Sequence, residues 1–156
     1  MEPLTKSVVI QRPIEEVFEL TTCLVRCAVW QTLIVETEKE TPGPVGVGTR
    51  YKHKAKYLGV TMETHPVITV WEPPYRMEYE SMTSAATYHA AYVFEPEGDA
   101  TRFTATLSAD TSGIVLRVTE PFMRASLMRQ FESDLEVLMH LLEEGIPVPL
   151  PPDERM

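Results

Sequence analysis

The chain has 156 residues, of which 44% are hydrophobic and 24% are charged, and its formal net charge at pH 7 is -9. This length and composition are typical of one globular domain with a hydrophobic core of its own. The negative charge disfavours nucleic acids and anionic membrane surfaces as partners, because both would repel it. No apolar run is long enough to span a membrane and no signal peptide is recognisable, so we expect a cytoplasmic protein without membrane insertion.

The first part of the chain predicts a strand, two short helices and a second strand. Residues Leu4 to Gln11 are rich in Val and Ile, which favours a strand. Pro13 suits the first turn of a helix, where its missing N–H costs nothing. A second short helix is expected from Cys23 to Val29, and a strand from Gln31 to Glu40. The following segment, TPGPVGVG, is typical of a loop.

From Gly48 onward, polar and apolar residues alternate with a period of two, as in antiparallel strands that expose one face. Over residues 49–58 four cations share one face, which we therefore expect to be the solvent side. A two-residue turn at Leu58-Gly59 would place Lys54 opposite Glu63 on that side. The inward face of the same strand carries Tyr51, His53, Ala55 and Tyr57.

The next strands extend this inward face. In the register that the Leu58-Gly59 turn gives, the inward face continues through Val60, Met62, Thr64, Ile68 and Val70. That register leaves Trp71 outside, and a bulge near Pro66 is the alternative. After a turn, Met77, Tyr79 and Ser81 face inward. A final hairpin around Pro96-Glu97-Gly98-Asp99 is predicted to pair Tyr92 with Phe103, Ala90 with Ala105 and Tyr88 with Leu107.

A long amphipathic helix is predicted from about Gly113 to Glu144. Its apolar stripe consists of Leu116, Met123, Leu127, Phe131, Leu135, Leu138 and Leu142. Pro121 predicts either a kink or a helix start near Thr119. Gly145 predicts the end of the helix. We therefore expect one domain over residues 1–146 and a loose, Pro-rich tail over 147–156.

The order of these elements, with the segments that mark them, resembles the Bet v 1-like, START-related (SRPBCC) superfamily, in particular its polyketide cyclase/dehydrase-like group. The segments are SVVIQRPIEEVFEL, Trp30, GPVGVGTRY, VWEPPYRMEY, FEPEGDATRFT and RQFESDLEVLMHLLE. The resemblance implies an α+β helix-grip fold, with two short helices after the first strand. In this fold a curved antiparallel sheet of about six to seven strands wraps around the long C-terminal helix and encloses a cavity for an apolar molecule. The family has no single catalytic set, so no catalytic residue carries over.

The inward face combines large aromatic residues with small ones, which favours a ligand cavity between the sheet and the helix. The small side chains would otherwise only make room for the helix. The predicted ligand-binding residues are Tyr51, His53, Ala55, Tyr57, Met62, Met77, Tyr79, Ser81, Tyr88, Ala90, Tyr92, Phe103, Ala105, Leu107, Met123, Leu127 and Phe131.

His53 is the candidate catalytic residue, because it is the one histidine expected inside and its ordinary pKa lies near neutrality. The strands offer no inward Asp or Glu to orient it, so a hydrogen bond from His53 to a tyrosine or a ligand is favoured over catalysis. The spacing of Cys23 and Cys27 is not that of a zinc or redox motif. The other histidines and the carboxylates are scattered, and no phosphate-binding loop is present, so neither a metal nor a cofactor is expected.

Three functions remain open at this point. The first is a carrier or sensor that binds an apolar or aromatic small molecule, such as a lipid, an isoprenoid or a polyketide-like compound. The second is a polyketide cyclase or dehydratase that uses His53 and the pocket tyrosines. The third is a protein-interaction module of the chaperone-activator type, which would use a surface patch. In each case the protein is expected to be a monomer or a homodimer.

Overall fold

The computed structural model describes residues 3–57, 59–82, 86–111 and 114–151; within these ranges, the side chains at positions 57, 86, 111, 114–120 and 123 are not described. The described part of the chain contains two α-helices, α1 (Ile14–Thr22) and α2 (Ile114–Glu143), and eight strands. A 3₁₀ helix, Leu24–Val29, follows α1. The strands are β1 (Leu4–Ile10), β2 (Ile34–Lys39), β3 (Tyr51–Tyr57), β4 (Val60–Thr64), β5 (Val67–Glu72), β6 (Arg76–Met82), β7 (Ala86–Glu97) and β8 (Ala100–Thr111).

The strands form a five-stranded sheet in the order β1-β8-β7-β6-β5 and a three-stranded sheet in the order β2-β3-β4. The two sheets meet where the start of β3 approaches β5. There the amide of Tyr51 donates to the carbonyl of Pro66 at 2.9 Å, and the amide of Ile68 donates to that of Thr49 at 3.0 Å. Together with the long C-terminal helix, this arrangement confirms the predicted α+β fold.

One strand more than predicted is present because the segment after the first hairpin is split in two. β4 ends at Thr64 and β5 begins at Val67, so the chain leaves the sheet at His65 and Pro66. Pro66 has no amide hydrogen to give to a strand ladder, which accounts for the interruption. The apolar alternation continues across the break, so Pro66, where a bulge is the predicted alternative, is what marks the interruption in the sequence.

The solvent side of β3 has the predicted register, with Lys54 opposite Glu63. Lys54 does not, however, form its ion pair with Glu63, the residue opposite it in the strand register. The Nζ of Lys54 lies 3.4 Å from the carboxylate of Glu36 on β2, whereas Glu63 pairs with Lys52 at 3.5 Å. These side chains are partly exposed to solvent, so the pairs contribute little to stability.

The predicted position of Trp71 on the outside is wrong. A register shift between Ile68 and Val70 places a bulge in β5, farther along than the alternative near Pro66. Beyond the bulge Trp71 turns inward and packs against Phe18 of α1, with ring centroids 5.2 Å apart. Val60 also departs from prediction, since it lies at the end of a hairpin and is 60% exposed.

The predicted register of the β7–β8 hairpin is wrong by two residues. The observed pairs are Tyr92 with Ala105, Ala90 with Leu107, Tyr88 with Ala109 and Phe94 with Phe103. The strands pair as far as Glu97 and Ala100, so the turn has two residues, Gly98 and Asp99, and Gly98 adopts a φ of 62°. Because the error is an even number of residues, the expected side chains still share the inner face.

Helix α2 runs through Pro121, so the predicted start near Thr119 is wrong. It ends in a hydrogen-bonded cap at Gly145, where the amide of Ile146 donates to the carbonyl of Leu141 at 3.0 Å. The tail is not loose at its beginning. The guanidinium of Arg26 donates to the carbonyl of Val148 at 2.8 Å, and Val148 packs against the core.

The core has two parts along the inner face of the larger sheet. At the end near α1, which we call the packed end, aromatic rings fill the space. Phe18 contacts Phe94 at 5.2 Å between centroids, and Phe94 stacks on Phe103 at 4.9 Å. The other end, the open end, lies under α2, whose buried face includes Phe131, Leu135, Leu138 and Leu142. The small residues Ser81, Ala90 and Ala109 line the sheet there.

Candidate functional site

A cavity of about 260 Å³ lies at the open end, between the sheets and α2. The strand pairing explains its position. Ser81 on β6 is paired with Tyr88 on β7, and Tyr88 is paired with Ala109 on β8. The small side chains of Ser81 and Ala109 leave space that larger residues would fill, and α2 covers it with Leu127 and Phe131. The cavity is therefore a consequence of side-chain size on adjacent strands.

Most of the predicted ligand-binding residues border this cavity. They are His53, Ala55, Met62, Tyr79, Ser81, Tyr88, Ala90, Tyr92, Leu107, Leu127 and Phe131. Tyr57 and Met123 lie outside the described side chains. The structure thus brings together residues from β3, β4, β6, β7, β8 and α2 at one place.

Four of the predicted residues do not border the cavity. Tyr51, Met77, Phe103 and Ala105 are fully or almost fully buried in the core instead. Phe103 and Met77 belong to the packed end, where Phe103 stacks on Phe94. Ala105 lies opposite Tyr92, whose ring packs edge-on against Phe103 at 5.3 Å. Met77, Phe103 and Ala105 share the inner face with the cavity residues, but they lie toward the packed end, where aromatic rings fill the space in front of the sheet.

Sequence reasoning missed one segment, one acidic helix position and six further residues at the cavity. The segment runs from Trp30 to Ile34, between the 3₁₀ helix and β2, and has no apolar periodicity. The helix position is Asp134. It lies three residues after Phe131 and four before Leu138, so it falls on the apolar stripe, and this signal was readable in the sequence. The remaining cavity residues that were not predicted are Leu4, Thr64, His89, Ser108, Ala109 and Gln130.

Two tyrosines and a glutamine form a hydrogen-bonded group in the cavity wall. The amide Nε2 of Gln31 donates to the hydroxyl of Tyr92 at 3.2 Å, and the hydroxyls of Tyr92 and Tyr79 are hydrogen-bonded to each other. Burial raises the pKa of Tyr79 to about 12 and that of Tyr92 well above its ordinary value. Both phenols are therefore protonated at neutral pH and act as neutral hydrogen-bonding groups.

His53 lies inside, as predicted, but its hydrogen-bond partner is not a tyrosine. Its Nδ1 lies 2.6 Å from the hydroxyl oxygen of Thr37 on β2, while Tyr79 packs edge-on against the ring at 6.2 Å. Burial lowers the pKa of His53 to about 4, because the charged imidazolium is poorly solvated there. The ring is consequently neutral at physiological pH.

Three buried polar atoms of cavity residues have no hydrogen-bond partner among the described residues. They are Nε1 of Trp30, Nε2 of His53 and Oγ of Ser81. Each of these side chains is at least nine-tenths buried. Buried polar groups are nearly always hydrogen-bonded in folded proteins. The polar groups without a partner are thus an indole N–H, an imidazole nitrogen and a hydroxyl, each on a residue that borders the cavity.

Asp134 contributes a buried carboxylate from α2 and is only 7% exposed. Its Oδ1 accepts hydrogen bonds from the amide of Thr32 at 3.2 Å, from the hydroxyl of Thr32 at 2.8 Å and from Nε2 of Gln130 at 3.1 Å. The carboxylate thus ties the Trp30–Ile34 segment to the helix. The absence of inward acidic residues holds for the described strands, but the helix supplies one.

The two cysteines are free thiols, and burial raises the pKa of Cys27 to about 12, so Cys27 is protonated and unreactive. Within the described ranges, no three His, Cys, Asp or Glu side chains converge as a possible set of metal ligands. In the same part of the chain, no helix combines the length and the apolar character needed to cross a bilayer.

Residues 1–143 match the model of the family described as polyketide cyclase / dehydrase and lipid transport. No protein of curated function matches the chain. Among solved structures, the chain is similar to the protein TTHA0849 from Thermus thermophilus, with a TM-score of 0.78 and 20% identity over 94% of this chain and 100% of the other.

Two further solved structures link the fold to named proteins. The di-domain ARO/CYC protein StfQ from the steffimycin biosynthetic pathway has a TM-score of 0.75 and 12% identity, covering 92% of this chain and 51% of StfQ. Ara h 8.0201 has a TM-score of 0.58 and 16% identity, covering 88% of this chain and 97% of the other. At these identities the similarities establish the shared fold.

Proposed function

The chain belongs to the polyketide cyclase/dehydrase and lipid transport family, and from this premise we propose that it binds a small apolar or aromatic molecule in the cavity at the open end. The cavity itself is the observation that carries the proposal. It is bordered mainly by apolar and aromatic side chains, with a few polar atoms among them. Small-molecule sites are commonly built in this way.

The size of the cavity limits the ligand. Its volume of about 260 Å³ lies just below the range of about 300–1,000 Å³ that is usual for ligand pockets. An apolar cavity of about 150 Å³ holds one benzene ring. We therefore favour a compact molecule of about two to three rings over a large lipid.

The aromatic side chains around the cavity favour a planar ligand. Tyr79 and Tyr92 stand edge-on to each other at 6.1 Å, and Trp30 lies 6.4 Å from Tyr92. Aromatic rings prefer offset-stacked or edge-on contacts with other rings, and each such contact adds about 0.5–1.5 kcal/mol beyond the area buried. These three residues thus offer a planar molecule several favourable ring contacts.

Binding of N-phenyl-1-naphthylamine, a neutral probe whose fluorescence rises in apolar surroundings, tests the proposal. We expect saturable binding to the wild type and about tenfold or more weaker binding to Ala90→Phe, because a phenyl group at position 90 occupies the cavity. Ala91→Phe is the matched control. Ala91 is the next residue on β7 and therefore faces the other side of the sheet.

Equal affinity of the wild type and a folded Ala90→Phe variant would contradict an internal site. Native mass spectrometry of freshly purified protein adds an independent measurement. A retained small molecule supports the proposal and also reveals the mass of the natural ligand.

Acid–base catalysis of the cyclase or dehydratase type is a second candidate, and the position of His53 favours it. The ring borders the cavity, its orientation is fixed through Nδ1 by Thr37, and Nε2 is unpartnered among the described residues. A pKa of about 4 makes His53 a weak base, however, and no carboxylate is hydrogen-bonded to it in the described part of the chain. We therefore place binding before catalysis.

His53→Gln separates the two candidates, because glutamine retains polar atoms but cannot act as a base. A catalytic His53 predicts a loss of turnover of a polyketone substrate by about a hundred- to ten-thousand-fold with little change in affinity. A binding role predicts unchanged background reactivity and an affinity lower by about 0.5–1.5 kcal/mol. Loss of turnover at constant affinity would make the protein an enzyme.

A further inference from the structure

Asp134 is an acidic residue in the wall of a cavity that is otherwise bordered mainly by apolar side chains. We propose, on the basis of the binding function above, that Asp134 selects neutral ligands with a hydroxyl group, such as phenols, whose O–H donates to its carboxylate, and rejects ligands that carry a carboxylate of their own.

The geometry leaves one oxygen of Asp134 available. The three hydrogen bonds described above, two from Thr32 and one from Gln130, all reach Oδ1. Oδ2 has no hydrogen-bond partner among the described residues, and no Lys or Arg lies within ion-pair distance of it in that part of the chain. Because Asp134 borders the cavity, Oδ2 is the acceptor that a ligand hydroxyl can reach.

The rest of the described cavity wall contains neither Lys nor Arg to balance an anionic ligand. Of its two histidines, His53 is neutral at physiological pH, and His89 lies 3.8 Å from the carboxylate of Glu80, which is its nearer partner. The other unpartnered atoms, Nε1 of Trp30 and Nε2 of His53, belong to neutral rings. A fatty acid or an aromatic acid bound here would thus hold its carboxylate near that of Asp134 without a counter-ion.

The physical size of this effect is large enough to measure. Two like charges a few ångströms apart repel each other strongly inside a protein, because the effective dielectric constant there is lower than in water. A hydrogen bond between a neutral donor and a charged acceptor is in turn among the stronger hydrogen bonds in proteins. Together these terms predict at least about a tenfold preference for a phenol over the corresponding acid.

Three probes of the same size and shape test the proposal: naphthalene, 2-naphthol and 2-naphthoate, each measured by displacement of N-phenyl-1-naphthylamine at pH 7. We expect wild-type protein to bind 2-naphthol at least about tenfold more tightly than 2-naphthoate. In Asp134→Asn the affinity for 2-naphthoate should rise by about tenfold or more, whereas that for naphthalene should not change.

Thr32→Val is the matched control, because it removes the hydroxyl that donates to Oδ1 and leaves the charge in place. If Asp134 only ties the loop to the helix, both variants lose stability and neither alters the order of the three probes. That result would overturn the proposal, as would equal binding of 2-naphthol and 2-naphthoate to the wild type, a measurement that needs no variant. Failure of the wild type to bind naphthalene or the fluorescent probe would instead contradict the binding function itself.

Discussion

The packed end and the open end of the inner face are built from the same three strands. Along β7, Phe94 lies at the packed end and Ala90 at the open end; along β8, Phe103 and Ala109 hold the corresponding positions. Strands β6 to β8 pair continuously through both ends. The difference therefore arises from side-chain volume and not from a change in the backbone.

The helices add to the difference between the two ends. At the packed end α1 inserts Phe18 between Phe94 and Trp71, so that rings fill the space in front of the sheet. At the open end α2 covers the sheet with Leu127 and Phe131 but does not fill the space beneath. One region stabilises the fold, and the other, on our proposal, holds the ligand. Variants at matched positions should separate the two roles.

The largest expected effect is the loss of a ring from the packed end. Phe103 is fully buried and stacks on Phe94, so Phe103→Ala should lower the free energy of unfolding by about 3–5 kcal/mol. Phe131→Ala, under the open end, should cost at least about 1 kcal/mol less, because Phe131 borders existing space and has fewer contacts to lose. Urea denaturation of both variants measures the difference. Equal losses would show that the open end is packed as tightly as the packed end.

The next effect is a pH dependence that belongs to the open end, since the rings of the packed end do not titrate. The pKa of His53 is about 4 in the folded protein and about 6.5 when exposed, so the unfolded state binds more protons between these values. Stability should therefore fall as the pH is lowered from 6.5 to 4. One pKa unit corresponds to about 1.4 kcal/mol, so the total loss below pH 4 approaches about 3 kcal/mol.

His53→Gln provides the control for this pH dependence, because all carboxylates remain in place. The difference in unfolding free energy between wild type and variant should change with pH between 6.5 and 4 and stay constant above that range. A difference that is flat from pH 4 to 8 would mean that His53 is solvated, and not buried as the structure has it.

The sequence predicts this fold well, because its strongest signals are periodic. The alternation in β3 correctly separates Tyr51 and His53 from the lysines, and the stripe on α2 correctly places Phe131, Leu135 and Leu138 in the core. The assignment of side chains to the inner face is also unaffected by the error in the β7–β8 register, since a shift of two residues leaves every side chain on the same side of the sheet.

The sequence predicts the site less well. Periodicity shows which side of the sheet a residue faces, but not whether it lies in the packed core or at the cavity. Met77 and Ser81 are both inward residues of β6, yet the first is in the core and the second borders the cavity. Which of them borders a cavity depends on α1, whose Phe18 comes from a distant part of the chain. Asp134 was not predicted for another reason. It is a single acidic residue on the stripe of α2 that the apolar residues define.

The smallest expected effect compares two alanines that the sequence does not distinguish. Ala90 and Ala105 are both inward and buried, but only Ala90 borders the cavity. Ala105→Phe adds a ring opposite Tyr92, where no space exists, and should destabilise the protein by about 1–3 kcal/mol. Ala90→Phe directs its ring into the cavity and should change stability by less than about 1 kcal/mol. Thermal unfolding without ligand measures both changes, and the reverse order would place the cavity in front of Ala105.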